Sequence, residues 1–172
     1  VRHPHALERI GKCAINLTGW SVSDPTLADW IAGQVRKLGV PPGKLCFEIT
    51  ESQAIASRDV AGRLIESLRA MGSSVSLDDF GTGLATYDYL KSFPFDYLKI
   101  DGAFIKGVLD SPVDQAIVQS ITGVARTMGL QTIAEFVESE AVIERLREYG
   151  VDYVQGYGVG KPVPLDELLA PK

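Results

Sequence analysis

The sequence predicts an α/β fold of the (β/α) barrel kind, and three observations predict it. Short apolar segments alternate with amphipathic helical patterns along the whole 172-residue chain, the order that parallel sheets require. Within each apolar segment one side-chain parity is apolar throughout, while the other is mixed and often small or polar. A doubly wound sheet is apolar on both faces because helices cover both, so the asymmetry favours a barrel, with helices outside and a lined interior. The inner parity also ends, strand after strand, in a polar residue.

The elements follow in order. Strands are expected near 13–17, 45–49, 74–78, 96–100, 131–135 and 152–156. Ile15 and Leu17, Phe47 and Ile49, Val75 and Leu77, Leu98 and Ile100, Ala134 and Val154 face the helices. Ala14, Cys46, Ser74, Ser76, Tyr97, Ile133 and Tyr153 face inward, because successive strand residues alternate between faces. Between the strands run helical stripes: Leu27, Ile31, Val35 and Leu38; Val60, Leu64, Leu68 and Met71; Ile117, Ile121, Val124 and Met128; Val142, Leu146 and Tyr149. Such stripes at helical spacing belong to a core and not to a binding face. Asp24-Pro25 and Ser111-Pro112 set a capping side chain before a helix-starting proline, and Gly39, Gly72, Gly129 and Gly150 follow helix ends, where a left-handed residue is wanted. The tail Lys161-Pro162-Val163-Pro164 leads into a last short helical stretch.

Composition bounds the function. Hydrophobic residues make up 45% and charged residues 23%, with 17 glycines, the profile of a soluble α/β protein and not of a disordered one. No apolar run is long enough to span a bilayer and no signal-peptide pattern opens the chain, so a cytoplasmic domain is expected, within a parent that is free to be membrane-anchored. The net charge of −5 and the scatter of the 17 basic residues exclude long nucleic acid as a partner. An anionic substrate then needs metal ions to reverse the local sign. Cys13 and Cys46 lie in apolar segments without Cys-x-x-Cys spacing and are expected as buried free thiols. His3 and His5 are expected at the surface. The chain begins with Val, so a longer parent polypeptide is expected.

At the strand ends the inner parity delivers Asn16, Glu48, Asp78, Lys99 with Asp101, Glu135 and Gln155, and the C-terminal ends of barrel strands form the active-site face. Leu77-Asp78-Asp79-Phe80-Gly81-Thr82-Gly83 adds a second carboxylate and two glycines that let the backbone bend. Asp-Asp before Gly is also ordinary turn chemistry, and any one of the acids has the helix N-cap as an alternative. An oxygen-rich set suits Mg²⁺ or Mn²⁺. Two such ions about 3.5–4 Å apart clamp the attacking and leaving oxygens of a phosphoryl displacement. Lys99 and Asp101 share a face, so Lys99 either holds water and phosphoryl charge, or pairs with Asp101, or does both.

The segments Cys13-Ala14-Ile15-Asn16-Leu17-Thr18, Phe47-Glu48-Ile49-Thr50-Glu51-Ser52, Leu77-Asp78-Asp79-Phe80-Gly81-Thr82-Gly83, Leu98-Lys99-Ile100-Asp101, Ala134-Glu135-Phe136-Val137-Glu138 and Gln155-Gly156-Tyr157 resemble, in order and spacing, the EAL domain family. These are bacterial phosphodiesterases that cut cyclic di-GMP to linear pGpG in a TIM-like barrel. The resemblance implies metal ligands at Asn16, Glu48, Asp78 and Asp79, and a catalytic Lys99 that orients or deprotonates water. It implies Glu135 on metal or its water, Gln155 near metal-bound water, and Glu51 ordering the loop of Phe80, Gly81, Thr82 and Gly83. It further implies two Mg²⁺ or Mn²⁺ ions, a homodimer contact through that loop, and an upstream sensor or GGDEF-type domain in the parent.

The family's naming Glu-Ala-Leu stretch, whose glutamate is a metal ligand and which an arginine follows, does not occur in the sequence. A barrel of this class runs to about 250 residues and eight strands, so residues 1–172 are expected to be one N-terminally truncated domain with six strands, weak or inactive alone. Phe136 stands where the family usually has glycine, and Leu84-Ala85-Thr86 follow Gly83 where small hydroxyl residues are usual. Two other functions are open from sequence: a non-catalytic cyclic di-GMP receptor or interaction module, and a barrel enzyme acting on sugar phosphates or enolates.

Overall fold

A computed structural model describes residues 10–56, 58–81 and 87–169. Its strands are β1 (Cys13–Asn16), β2 (Leu45–Thr50), β3 (Ser74–Phe80), β4 (Tyr97–Ile100), β5 (Gln131–Ala134) and β6 (Tyr153–Val154). The helices are α1 (Gly19–Val22), α2 (Leu27–Leu38), α3 (Glu51–Ala56), α4 (Arg58–Ala70), α5 (Tyr87–Ser92), α6 (Gly102–Ile105), α7 (Pro112–Thr127), α8 (Glu140–Glu148) and α9 (Leu165–Leu169). The helical stripes fall on α2, α4, α7 and α8. The short helices α1, α3, α5 and α6 escape sequence periodicity, since four to six residues are too few to show a stripe.

The six strands form one sheet in chain order β1 to β6, and every neighbouring pair is parallel. This is an incomplete TIM-like barrel, six strands of the eight that close one, with β1 and β6 as its edges. The outer parity carries the core. Phe47, Ile49, Val75, Leu77, Leu98, Ile100 and Ala134 are all buried against Leu64, Ile65 and Leu68 of α4 and Val118 and Ile121 of α7. Each fully buried Leu, Ile or Phe contributes about 1.5–3 kcal/mol of transfer free energy. The inner parity lines a concave cavity of about 730 Å³, with Ala14, Cys46, Glu48, Tyr97, Ile133, Tyr153 and Gln155 on its wall.

Aspartate clasps set the strand starts. Asp96 accepts from the Val75 amide at 2.9 Å and pairs with Arg69 at 3.0 Å. Asp152 accepts from the Thr132 amide at 2.7 Å and its hydroxyl at 2.9 Å. Both tie an amide near the start of one strand to a carboxylate just before its neighbour, so register is held from side chains as well as from the ladder.

Two sequence expectations need correction. Cys46 is buried as expected, and burial pushes its thiol up to about 11. Cys13, however, is exposed, because β1 is an edge strand whose four residues are all uncovered. Asp24 does not cap a helix beginning at Pro25. Its Oδ1 accepts from the Thr26 amide at 2.8 Å and hydroxyl at 2.7 Å, an Asx-type turn, and α2 begins only at Leu27. Ser111 does cap, its hydroxyl accepting from the Asp114 amide at 3.3 Å. His3 and His5 lie outside the described residues. Among the described residues no helix is long and apolar enough to cross a membrane.

Candidate active site

The acidic pair is built by a bulge. Leu77 pairs with Leu98, and Phe80 with Ile100. Two residues of β3, Asp78 and Asp79, therefore stand opposite one of β4, Lys99. Such an insertion re-aims side chains and is common beside active sites. The strand accordingly runs on to Phe80, past the end at Asp78 that the sequence predicts. Asp79 takes φ 56°, a left-handed conformation that aspartate tolerates better than most residues. The backbone turn brings consecutive carboxylates to one place: an oxygen each from Asp78, Asp79 and Glu135 lie within 4.8 Å of one another.

Lys99 sits at the centre, 3% exposed. Its Nζ lies 2.8 Å from Glu135 Oε1, 2.9 Å from Asp78 Oδ1 and 3.2 Å from Glu48 Oε2. Glu48, Asp78 and Glu135 are themselves no more than 9% exposed. Burial works against the lysine's charged form, but its hydrogen bonds to Glu135 and Asp78 outweigh that and hold it well above the ordinary lysine range. The carboxylates outnumber it. Burial, then the charge of Asp78, raises Asp79; burial also raises Glu135, with Lys99 opposing and Asp78 and Asp79 reinforcing. Four carboxylates facing one ammonium leave negative charge that an oxygen-binding cation would offset.

The other predicted residues divide. Asn16 is in register with Glu48 on the neighbouring strand, and Gln155 lies beyond β6 with its amide bonded to the Ala134 carbonyl at 2.8 Å. Both residues are exposed at the flanks of the cluster. Asp101 does not pair with Lys99. β4 ends at Ile100, and Asp101 turns out of strand parity to cap α6, accepting from the Ala103 amide at 2.7 Å. Its charge still reaches Asp79.

Glu51 opens α3 and is 4% exposed. It accepts from the Gly81 amide at 3.3 Å, so it holds the chain just past the bulge. Phe80 is buried in β3, and Gly81 is held to glycine twice over: φ is 101°, and a Cβ would lie 2.8 Å from Phe104 Cε2. Thr82 and Gly83 lie outside the described residues. Glu51→Ala is expected to weaken Mg²⁺ binding at the acidic cluster about 10–100-fold, as loss of a group supporting metal ligands does; a calorimetric Mg²⁺ titration measures it.

Sequence reasoning missed the bulge, which no local pattern marks. It also left open what Phe136 does. The structure holds Phe136 at φ 51°, 56% exposed, with its ring against Gly102.

Fold and site together define a parallel (β/α) barrel domain whose strand ends present a lysine within an acidic cluster of a size that could hold a cation. The chain belongs to the EAL domain family, whose model matches residues 2–162. It is 45% identical over 152 residues to cyclic di-GMP phosphodiesterase PdeB of Shewanella oneidensis, covering 88% of this chain and 18% of that protein. It is 38% identical over 157 residues to the bifunctional diguanylate cyclase/cyclic di-GMP phosphodiesterase MucR of Pseudomonas aeruginosa, covering 91% of this chain and 23% of that one. The chain thus spans less than a quarter of the length of these curated relatives. Among solved structures it superposes on the PaMucR phosphodiesterase in complex with c-di-GMP with a TM-score of 0.85 at 37% identity, covering 91% of this chain and 64% of that one. It superposes on the EAL domain of Mycobacterium smegmatis DcpA with a TM-score of 0.87 at 33% identity, covering 92% and 70%.

Proposed function

We propose that this chain carries the hydrolytic site of a cyclic di-GMP phosphodiesterase, which opens the cyclic dinucleotide to linear pGpG with two Mg²⁺ or Mn²⁺ ions. The observation that carries the reading is the Lys99 ammonium bonded to Glu48, Asp78 and Glu135, with Asp79 close enough to share a cation with Asp78 and Glu135. The donor set fits: it is all oxygen, without thiolate or imidazole, as Mg²⁺ and Mn²⁺ prefer. Asn16, Glu48, Asp78, Asp79 and Glu135 would hold the ions. When bound, such ions neutralise phosphate charge and make water a nucleophile near neutral pH.

The protein's own groups do the rest. Lys99, held protonated by its three acids, orients the attacking water and offsets charge on the phosphoryl oxygens. Asp101, fixed as a helix cap, and Gln155 bind substrate or water at the rim. Glu51 holds the start of the loop after the bulge, which also makes a homodimer contact. The domain is cytoplasmic and sits downstream of a sensor or GGDEF-type domain in a longer parent.

The 172-residue chain alone is expected to be weak or inactive. Among the described residues β1 and β6 each pair on one side only, and open sheet edges favour association over a defined cavity. The test therefore uses the full-length protein that carries the chain. With Mg²⁺ or Mn²⁺ it is expected to convert cyclic di-GMP to pGpG, and EDTA is expected to stop it. Intact cyclic di-GMP under these conditions overturns the reading, and tight binding without turnover assigns the receptor role instead.

A further inference from the structure

Asp79 holds a backbone conformation that needs support from its surroundings. A non-glycine residue at positive φ is strained, and such strain persists only where the neighbouring structure over-determines it. The φ of 56° at Asp79 is fixed on one side by Asp78, whose Oδ1 accepts from the Asp79 amide at 3.0 Å. On the other side Phe80 pairs with Ile100, and the chain then enters Gly81, which is gripped from two directions. Glu51 accepts from the Gly81 amide at 3.3 Å. Opposite in chemistry, a Cβ at Gly81 would lie 2.8 Å from Phe104 Cε2, 3.3 Å from Phe104 Cζ and 3.7 Å from Ile121 Cδ1. The bare Cα of Gly81 therefore rests against the edge of the Phe104 ring, with Ile121 of α7 beside it.

Phe104 stands on a fixed base. It lies in α6, whose cap Asp101 accepts from the Ala103 amide at 2.7 Å. Its neighbours Ile105 and Val108 are 1% and 0% exposed, and the Lys106 amide donates to the Gly102 carbonyl at 3.0 Å. The Phe104 ring is only partly buried at the edge of this core.

We infer that Phe104 is a positioning residue: it braces Gly81 against Glu51, keeps the bulge folded, and so holds the Asp79 carboxylate beside those of Asp78 and Glu135. The inference rests on the cation site of the proposed function and adds to it a residue that touches neither cation nor substrate. Without the ring Gly81 has room to shift toward α6, and a glycine has little backbone preference of its own with which to resist. Asp79 then relaxes from positive φ, and its carboxylate leaves the oxygens that now lie within 4.8 Å of it. Displacing a ligand in this way costs metal affinity as the loss of other supporting groups does.

Three variants of the full-length protein that carries the chain test this. Phe104→Ala is expected to weaken Mg²⁺ binding about tenfold in a calorimetric titration. In EDTA it is expected to speed hydrogen exchange at the Gly81 amide about tenfold, because the bond to Glu51 opens more often. Phe104→Leu keeps a bulky apolar side chain on Gly81 and is expected to restore most of both. Ile105→Val trims the same helix inside the core, and it is expected to lower the melting temperature while Mg²⁺ affinity and Gly81 exchange stay at wild-type values. That contrast separates bracing from a general loss of stability.

The two readings fail separately. A wild-type protein that binds no Mg²⁺ at this cluster removes the cation site and the bracing role with it. Where the wild type binds Mg²⁺, equal affinity in Phe104→Ala, or an equal loss in Ile105→Val, overturns the bracing role alone. Unchanged Gly81 exchange in Phe104→Ala overturns it as well and leaves the cation site standing.

Discussion

Lys99→Met is expected to lower the melting temperature in metal-free buffer by about 6–20 °C. Removing one partner from a buried ionic cluster costs about 3–5 kcal/mol, and a domain of this size loses about 2–4 °C for each kcal/mol. The cost is high because Lys99 is 3% exposed and is, among the described residues, the cation bonded to Glu48, Asp78 and Glu135 together. Without it, three nearly buried carboxylates face each other and Asp79 with their central positive charge gone. Mg²⁺ is expected to restore part of the loss, since an ion on the same oxygens replaces the missing charge and binding to the folded state stabilises it by mass action. Under the proposed function, turnover of cyclic di-GMP by the full-length protein is expected to stay lost even with the fold restored, because the ammonium proposed to orient water is gone. Thermal unfolding with and without Mg²⁺, alongside product formation, separates the two effects. A variant that melts like the wild type in EDTA would show that the cluster does not depend on this lysine.

Asp79→Asn has the opposite stability sign and an equally large effect on activity. Asparagine tolerates φ near 56° as aspartate does, so the bulge survives. It also removes a carboxylate that burial and Asp78 raise above its ordinary value. A carboxyl group whose folded-state pKa is raised adds stability below its unfolded value and loses it as pH rises through the folded one. At neutral pH the ionised Asp79 therefore weakens the metal-free fold. Asp79→Asn is expected to melt at or above the wild-type temperature in EDTA, and its melting temperature is expected to change less between neutral and mildly acid pH. Its gain from Mg²⁺ shrinks, because one of the three oxygens within 4.8 Å is now an amide's. Under the proposed function, the activity of the full-length protein is expected to fall at least about 100-fold, since even groups that only support metal ligands cost about 10–100-fold. A Mg²⁺-dependent rise in melting temperature as large as the wild type's would remove Asp79 from the ion site.

Much of this protein is legible in its amino-acid sequence. β/α alternation, the apolar outer parity and the polar inner ends mark six strands, and all six form within a few residues of where they are expected. These features are local: a strand's two-residue period and a helix's stripe are set by backbone geometry acting on neighbours in the chain. The ordered segments from Asn16 to Gln155 carry the family for the same reason.

What tertiary structure alone decides is partnership. Asp101 has strand-like spacing from Lys99, yet it caps α6, because the strand ends one residue earlier. Cys13 reads as apolar interior, yet lies on an uncovered edge. Phe136 reads as the next residue after an acid, yet its ring finds room only because Gly102 lacks a Cβ. The bulge at Asp78 and Asp79 is the deepest case. It exists because β3 and β4 hold different residue counts between their paired positions, and a ladder between separate segments is invisible to either segment's own pattern. The sequence determined which residues reach the barrel mouth, and the pairing between strands decided which of them meet around Lys99.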